Sequence, residues 1–205
     1  MYNQDNYNKI LVTVGIVAFC LSILIVTADI SDVTFMNVFK SISTATLITF
    51  IFHFVFKKWI WQYQWIPLLN PLIVLVPNLH GTWEGTLRSN WTNPETGKAV
   101  EPKKLVVFIR QTFVTISVEI HTDEMISKSY LAGFRTDLDT QTHELCYTYT
   151  SKASANTVSF NPWHDGTAKL EIHQNSTLRL KGDYWTLRET TGTIEIQRVS
   201  KKILR

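Results

Sequence analysis

The chain has 205 residues, which is enough for one domain with attached elements. Its formal net charge of +3 at pH 7 is far weaker than that of typical nucleic-acid-binding domains, so the composition argues against a nucleic acid polymer as a partner. Cys20 lies in an apolar run and Cys146 in a strand-like run, so we expect no disulfide between them, consistent with a reducing compartment around the soluble part.

Two apolar runs come first along the chain. Residues 10–28 carry no charged side chain and are long enough to cross a bilayer as a helix. The second run, residues 38–56, has one lysine near its start, Lys40, whose side chain can reach the interface. It also carries small hydroxylated residues, which favour close packing of membrane helices: Ser41, Ser43, Thr44, Thr46 and Thr49.

These runs predict a transmembrane helical hairpin over residues 1–58. A cleaved signal peptide is the alternative for the first run. However, the residues before it are not clearly basic and include Asp5, no A-x-A-like cleavage site is evident, and a second run follows at once. The retained hairpin is therefore the better interpretation.

Charges flanking the two runs predict the orientation. Lys57 and Lys58 directly follow the second run, whereas Asp29 and Asp32 lie in the loop between the runs. Because lysines favour the cytoplasmic side, we expect both termini and the C-terminal domain to be cytoplasmic in a multi-pass protein.

A junction rich in aromatic residues and proline follows at residues 59–77, "WIWQYQWIPLLNPLIVLVP". Tryptophan and tyrosine suit the membrane interface, and three prolines prevent a long regular helix. We predict an interfacial linker here. The alternative is a segment that enters the bilayer or contacts neighbouring subunits on activation.

The remainder of the chain, residues 78–205, has the alternating pattern of short β-strands. Eight antiparallel strands in this length favour a small up-and-down barrel over a sandwich, because closure removes exposed edges. The fold class is therefore a membrane-anchored all-β protein, with two transmembrane helices followed by a small eight-stranded antiparallel β-barrel. We predict strands at residues 81–88, 104–111, 113–121, 129–137, 143–151, 167–174, 177–185 and 192–199.

Alternation also predicts which side chains face the barrel interior. The predicted inward residues, strand by strand, are Trp83, Gly85 and Leu87; Val114, Ile116, Val118 and Ile120; Leu145, Tyr147 and Tyr149; Ala168, Leu170 and Ile172; Leu178, Leu180, Gly182 and Tyr184; and Ile194, Ile196 and Arg198.

Closure of an eight-stranded barrel places the first and last strands side by side, which should bring Arg198 close to Trp83. An arginine stacked on an indole would plug this end of the barrel. The segments "GTW" at residues 81–83 and "IEIQRV" at residues 194–199 resemble the first and last strands of lipocalin-like barrels. Because the chain enters the first strand from the linker, we expect the plugged end to face the bilayer.

Binding is then expected at the other end, which is formed by the connections at residues 89–103, 122–128, 152–166 and 186–191. Aromatic faces with a few cations suit a ligand that has both bases and phosphates. The alternative is a filled barrel with core tyrosines and solvated lysines. The predicted ligand-binding residues are Tyr130, Tyr149, Lys152, Trp163, Tyr184 and Arg188, and the three tyrosines are expected to face the barrel interior.

Catalytic chemistry has little support in the sequence. The six histidines are scattered without metal-ligand spacing, and neither a nucleophile–base set nor a glycine-rich phosphate loop is evident. We therefore expect a protein that is not an enzyme and needs no metal or cofactor.

Taken together, the two runs, the aromatic junction and the minimal barrel opening on "GTWEGTL" resemble the two-span, β-strand-rich membrane effectors of CBASS anti-phage systems. The resemblance implies that a partner CD-NTase nucleotidyltransferase makes a cyclic dinucleotide and that the barrel binds it as an activating ligand. The effector would then oligomerise among the lipids of the cell inner membrane and disrupt it, so that the infected cell dies.

Two other functions remain open at this stage. One is a membrane-tethered, lipocalin-like binder of an apolar small molecule, and the other is a scaffold that docks another protein on the barrel. A hollow, mostly apolar interior would favour the first alternative.

Overall fold

The computed structural model describes residues 4–27, 35–58, 77–137, 139–140, 142–153, 163–174 and 177–204. The chain divides into a unit that contains the helices and a unit that contains the strands, and each is described by itself. The predicted interfacial linker, residues 59–77, lies outside the described residues apart from Pro77.

Two helices of equal length, α1 (Gln4–Thr27) and α2 (Phe35–Lys58), pack as an antiparallel pair. Small residues form the seam between them, which lets the backbones approach closely. Ser22 Oγ donates a hydrogen bond to the carbonyl oxygen of Ser41 at 3.1 Å. The seam consists of Gly15, Ala18 and Ser22 on α1 and Ser41, Ala45 and Thr49 on α2.

The outward surface of the helix pair is dominated by large exposed apolar side chains. Within the described helices, Val38–Val55 of α2 is long and apolar enough to cross a membrane, whereas the apolar stretch of α1, Leu11–Leu24, is shorter. The structure therefore supports one possible membrane-crossing helix, and the prediction of two is not confirmed for α1.

The second unit is a closed antiparallel barrel in which strands pair in chain order and β8 returns to β1. This confirms the predicted eight-stranded barrel. The strands are β1 (Gly81–Ser89), β2 (Lys103–Gln111), β3 (Ile116–His121), β4 (Met125–Asp137), β5 (Thr142–Ala153), β6 (His164–Gln174), β7 (Leu178–Thr186) and β8 (Thr191–Ser200).

Inward positions along the strands form one apolar core, as the alternation predicts. On β5, Leu145, Tyr147 and Tyr149 are all buried, and Leu170 on β6 and Leu180 on β7 are at most 1% exposed. Val114 was predicted to face inward on the third strand, but that strand begins at Ile116, so Val114 precedes it. The hydroxyl of Thr112 accepts a hydrogen bond from the Val114 amide at 3.3 Å, which holds a turn where a longer strand was predicted.

A β-bulge in β4 changes the orientation of Tyr130. Ser129 pairs with Tyr149 and Leu131 pairs with Thr148, so Tyr130 is an additional residue without a cross-strand partner. Its side chain is 63% exposed. The prediction that Tyr130 faces the barrel interior is therefore wrong, because the bulge shifts the alternation of β4 by one residue.

One end of the barrel is closed by Trp83, which is fully buried. The closure of β1 on β8 pairs Trp83 with Arg198, whose guanidinium carbon lies 5.9 Å from the centroid of the indole ring. Partial burial lowers the pKa of Arg198. The structure therefore brings Trp83 and Arg198 together at this end of the barrel, and their role as a plug remains a prediction.

The same end also holds the backbone segment that leads into β1. The Trp83 indole donates to the Leu79 carbonyl oxygen at 2.9 Å, and Arg198 donates to that of Asn78 at 2.8 Å. Gln111, the last residue of β2, accepts from the Leu79 amide at 2.6 Å and donates to the Pro77 carbonyl oxygen at 3.2 Å. Leu79 itself is fully buried, so the plug is a packed and hydrogen-bonded assembly.

We expect Trp83→Ala to lower the free energy of unfolding by about 3–5 kcal/mol, as truncations of large core aromatics do. The control is Trp185→Ala, since Trp185 lies on the outer wall and is 46% exposed; its effect should be about 1 kcal/mol or less. Urea unfolding of the full chain in detergent measures both. Equal effects of the two substitutions would show that Trp83 does not hold the closed end together.

Candidate ligand-binding site

The barrel is open at the end where β1 finishes and β2 begins. A cavity of about 580 Å³ lies there, and residues from all eight strands line it. This volume falls within the range of about 300–1,000 Å³ that is usual for small-molecule sites. We call this space the mouth cavity.

Two tyrosines form part of the wall of the mouth cavity, and each lies against a glycine of the next strand. Tyr149 pairs with Gly166, where an added Cβ would come within 2.6 Å of the phenol Cζ and Oη atoms. Tyr184 pairs with Gly192, where an added Cβ would lie 2.6 Å from its Cε1 atom. The glycines therefore leave the space that these rings occupy.

The tyrosine hydroxyls remain protonated over the physiological pH range. Burial, followed by the neighbouring Tyr184, raises the pKa of Tyr149 well above its usual value. Burial also raises the pKa of Tyr184, although a hydrogen bond with Ser89 opposes this shift. Both phenols can accordingly donate as well as accept hydrogen bonds within the cavity.

Further hydroxyl groups lie beside these tyrosines. Ser127 and Ser151 face each other across β4 and β5 and are joined by a hydrogen bond between their side-chain oxygens. Both are buried and line the mouth cavity. Ser151 also pairs with His164, another lining residue. This part of the wall is suited to a polar ligand.

Charged side chains lie towards the rim. Lys103 begins β2 and forms an ion pair of 2.5 Å with Glu124 in the turn between β3 and β4. Arg188 lines the cavity from the turn between β7 and β8. The wall thus combines aromatic rings, hydroxyl groups and charges of both signs.

The structure brings three of the predicted ligand-binding residues together: Tyr149, Tyr184 and Arg188 all line the mouth cavity. The predicted inward position of Tyr149 and Tyr184 is confirmed, and their contact with a ligand remains a prediction. Tyr130 is separated from them by its position on the outer wall.

Two other predicted residues lie elsewhere. Lys152 lines an outer groove with Lys128, because its even position on β5 points away from the interior, where Tyr149 and Ser151 point. Trp163 directly precedes β6 and is 71% exposed. Its neighbour His164, rather than Trp163 itself, is among the residues that line the mouth cavity.

Several lining residues were missed as site residues. Alternation from Tyr149 would have indicated Ser151, and alternation from Leu105 would have indicated Lys103, because each lies two residues along the same strand. Glu124 gave no such signal, since its position depends on the turn between Thr122 and Met125.

Gly166→Ala tests the placement of the Tyr149 ring. We expect the added methyl group to displace the ring and to lower the free energy of unfolding by about 1–3 kcal/mol, as overpacking does. Gly133→Ala on β4 is the matched control, because an added Cβ there meets no atom within 4 Å. Urea unfolding compares them, and a Gly166→Ala barrel as stable as the control would contradict this packing.

Comparison with known proteins agrees with this architecture. The family model "Cap15, cyclic dinucleotide receptor domain" matches residues 74–198. A curated relative from Staphylococcus schleiferi, CD-NTase-associated protein 15, is 28% identical over 198 residues, covering 96% of this chain and 99% of the relative. A protein of the same name from Escherichia albertii is 28% identical over 169 residues, covering 78% of this chain and 81% of that protein. The chain therefore belongs to the Cap15 family of CBASS effectors.

Proposed function

We propose that this CBASS effector binds a cyclic dinucleotide in the mouth cavity of its barrel and in response assembles in the bacterial inner membrane and disrupts it. The activating ligand would come from a partner CD-NTase. In this proposal the barrel is a sensor and carries out no reaction. The observation that carries the proposal is the mouth cavity, whose wall combines tyrosine rings, hydroxyl donors and cations.

The chemistry of the cavity fits the chemistry of the ligand. A cyclic dinucleotide has two flat bases and two phosphodiester groups. Tyr149 and Tyr184 offer aromatic surface for a base and protonated hydroxyls for its polar edge. Arg188 and Lys103 offer donors to phosphate oxygens.

The alternative ligand, an apolar small molecule, is less well matched. The buried residues from Trp83 to Leu180 form one apolar cluster, whereas hydroxyl and charged groups line the open part. An apolar ligand in the mouth cavity would cover the charged groups of Lys103, Glu124 and Arg188 without offering them hydrogen bonds.

Binding is tested with the full chain in detergent micelles by calorimetric titration of cyclic di-GMP, cyclic di-AMP, cyclic GMP–AMP and cyclic UMP–AMP. We expect Arg188→Gln to weaken binding of the active compound about tenfold, the order of magnitude for losing a charge-assisted hydrogen bond. Arg179→Gln is the control, because Arg179 is exposed on the outer wall of β7.

Absence of heat with every compound would contradict the proposed function. Equal loss of affinity in Arg188→Gln and Arg179→Gln would move the binding site away from the mouth cavity. Lys152→Gln adds a further measure: reduced affinity would mean that the ligand extends over the rim into the outer groove, where Lys152 lies.

The helical unit provides the basis for the membrane part of the proposal. In this proposal α1 and α2 both cross the inner membrane, with the small-residue seam between them and the large apolar side chains facing lipid. Lys57 and Lys58 at the end of α2 would then lie on the cytoplasmic side, together with the barrel.

Ser43 and Thr44 supply a surface for assembly. Both are exposed on α2, outside the seam with α1. Hydroxyl groups that face lipid gain stability when they form hydrogen bonds with another helix. We therefore assign this polar surface to contacts between copies of the effector.

Ser43→Ala combined with Thr44→Val should reduce ligand-dependent oligomers several-fold and leave ligand binding in place, because only the helix contact loses about 1 kcal/mol per hydrogen bond. Thr46→Val is the control, since the Thr46 hydroxyl already donates to the Ile42 carbonyl oxygen at 2.8 Å within its own helix. Crosslinking in membranes and dye entry into cells measure the effect. Unchanged oligomers and dye entry in the double variant would place assembly on another surface.

A further inference from the structure

The ion pair between Lys103 and Glu124 lies at the opening of the mouth cavity. Lys103 is an inward residue at the first position of β2, and Glu124 belongs to the turn that joins β3 to β4. Their nitrogen and oxygen atoms are 2.5 Å apart, and both side chains line the cavity. The two side chains are 36% and 40% exposed, so solvent and solutes reach them.

The turn that carries Glu124 is held by its own hydrogen bonds. The Thr122 amide donates to the Met125 carbonyl oxygen at 2.9 Å, and the Thr122 hydroxyl accepts from the Met125 amide at 3.1 Å. Glu124 is therefore presented to Lys103 by a defined turn. A carboxylate held in this way accepts from the Lys103 ammonium group, which would otherwise be available to an anionic ligand.

The Glu124 carboxylate lowers the formal charge of the mouth cavity. Among the described lining residues, Lys103 and Arg188 contribute two positive charges and Glu124 one negative charge, so that 2 − 1 leaves a net charge of +1 with His164 neutral. A cyclic dinucleotide carries two negative charges on its phosphodiesters. Without Glu124 the cavity charge would equal that of the ligand in magnitude.

We propose that Lys103 is a phosphate-binding residue of the mouth cavity and that Glu124 is an internal competitor, which a ligand phosphate displaces from Lys103. This inference rests on the proposed function, because it assigns a role within the same site. The carboxylate makes binding weaker than the two cations alone would allow. It thereby raises the ligand concentration at which the effector responds. It also disfavours ligands whose single charge is poorly positioned to displace Glu124.

When the ligand binds, the half-exposed ion pair between Lys103 and Glu124 is replaced by one between Lys103 and a ligand phosphate. Exposed ion pairs are worth up to about 1 kcal/mol, which corresponds to about a fivefold change in affinity. Displacement of Glu124 also frees its turn from the contact with Lys103. The turn at Thr122–Met125 is therefore the part of the rim that we expect to change position when the ligand binds.

The test is calorimetric titration of the full chain in detergent with the cyclic dinucleotide that binds best among cyclic di-GMP, cyclic di-AMP, cyclic GMP–AMP and cyclic UMP–AMP. Glu124→Gln should bind about fivefold more tightly than the wild type, because the competing charge is lost. Lys103→Gln should bind more weakly than the wild type. In the Lys103→Gln background, Glu124→Gln should gain much less, since the two residues act on one another.

A matched control comes from the outer wall, where Lys181 and Glu195 form an ion pair of 3.9 Å between β7 and β8. Glu195→Gln and Lys181→Gln change the net charge by the same amounts as the test variants but lie outside the mouth cavity. Both should leave the affinity within about twofold of the wild type. Thermal unfolding of Glu124→Gln confirms that the barrel remains intact.

The results separate the two proposals. Heat with the wild type but an unchanged or weaker affinity in Glu124→Gln would overturn the role of Glu124 alone, as would an equal gain in Glu195→Gln. Full affinity in Lys103→Gln would overturn the role of Lys103. No heat from the wild type or any variant would overturn the proposed function together with this inference.

Discussion

The pairing of β1 with β8 is the contact on which the remainder of the barrel depends. It joins the first strand to the last, so that all eight strands have two neighbours and none is left as an open edge. It also sets Trp83 beside Arg198, and these side chains bind the backbone of residues 78–79. With one end filled in this way, the mouth cavity lies at the opposite end of the described barrel.

The mouth cavity acquires its polar character from the same strands that build the core. On β1, β5 and β7 the inward row passes from apolar residues to hydroxyl groups as it approaches the rim, as in β5 from Leu145 through Tyr149 to Ser151. Core packing therefore fixes the positions of these wall residues. A ligand can promote assembly only by binding one state more tightly than another, and the turns that carry Glu124 and Arg188 line the cavity.

Much of the barrel could be predicted from the sequence because alternation and closure obey simple geometry. These rules placed every strand within a few residues and brought Arg198 to Trp83. They failed at Tyr130, where a bulge adds one residue and reverses the alternation. No residue type in β4 indicates such a bulge. The contact of Lys103 with Glu124 was also beyond prediction, because it depends on how a turn aims one side chain. Gln111 was overlooked because a single polar residue at the end of an apolar strand has no distinctive pattern.

The central claim is that the mouth cavity holds the cyclic dinucleotide. The most direct test is a structure of the full chain, determined by electron cryomicroscopy with the active cyclic dinucleotide bound. The account predicts ligand density inside the barrel, with a base against Tyr149 or Tyr184 and a phosphate near Arg188. Ligand density on the outer wall, for example in the groove beside Lys152, with an empty mouth cavity, would contradict it.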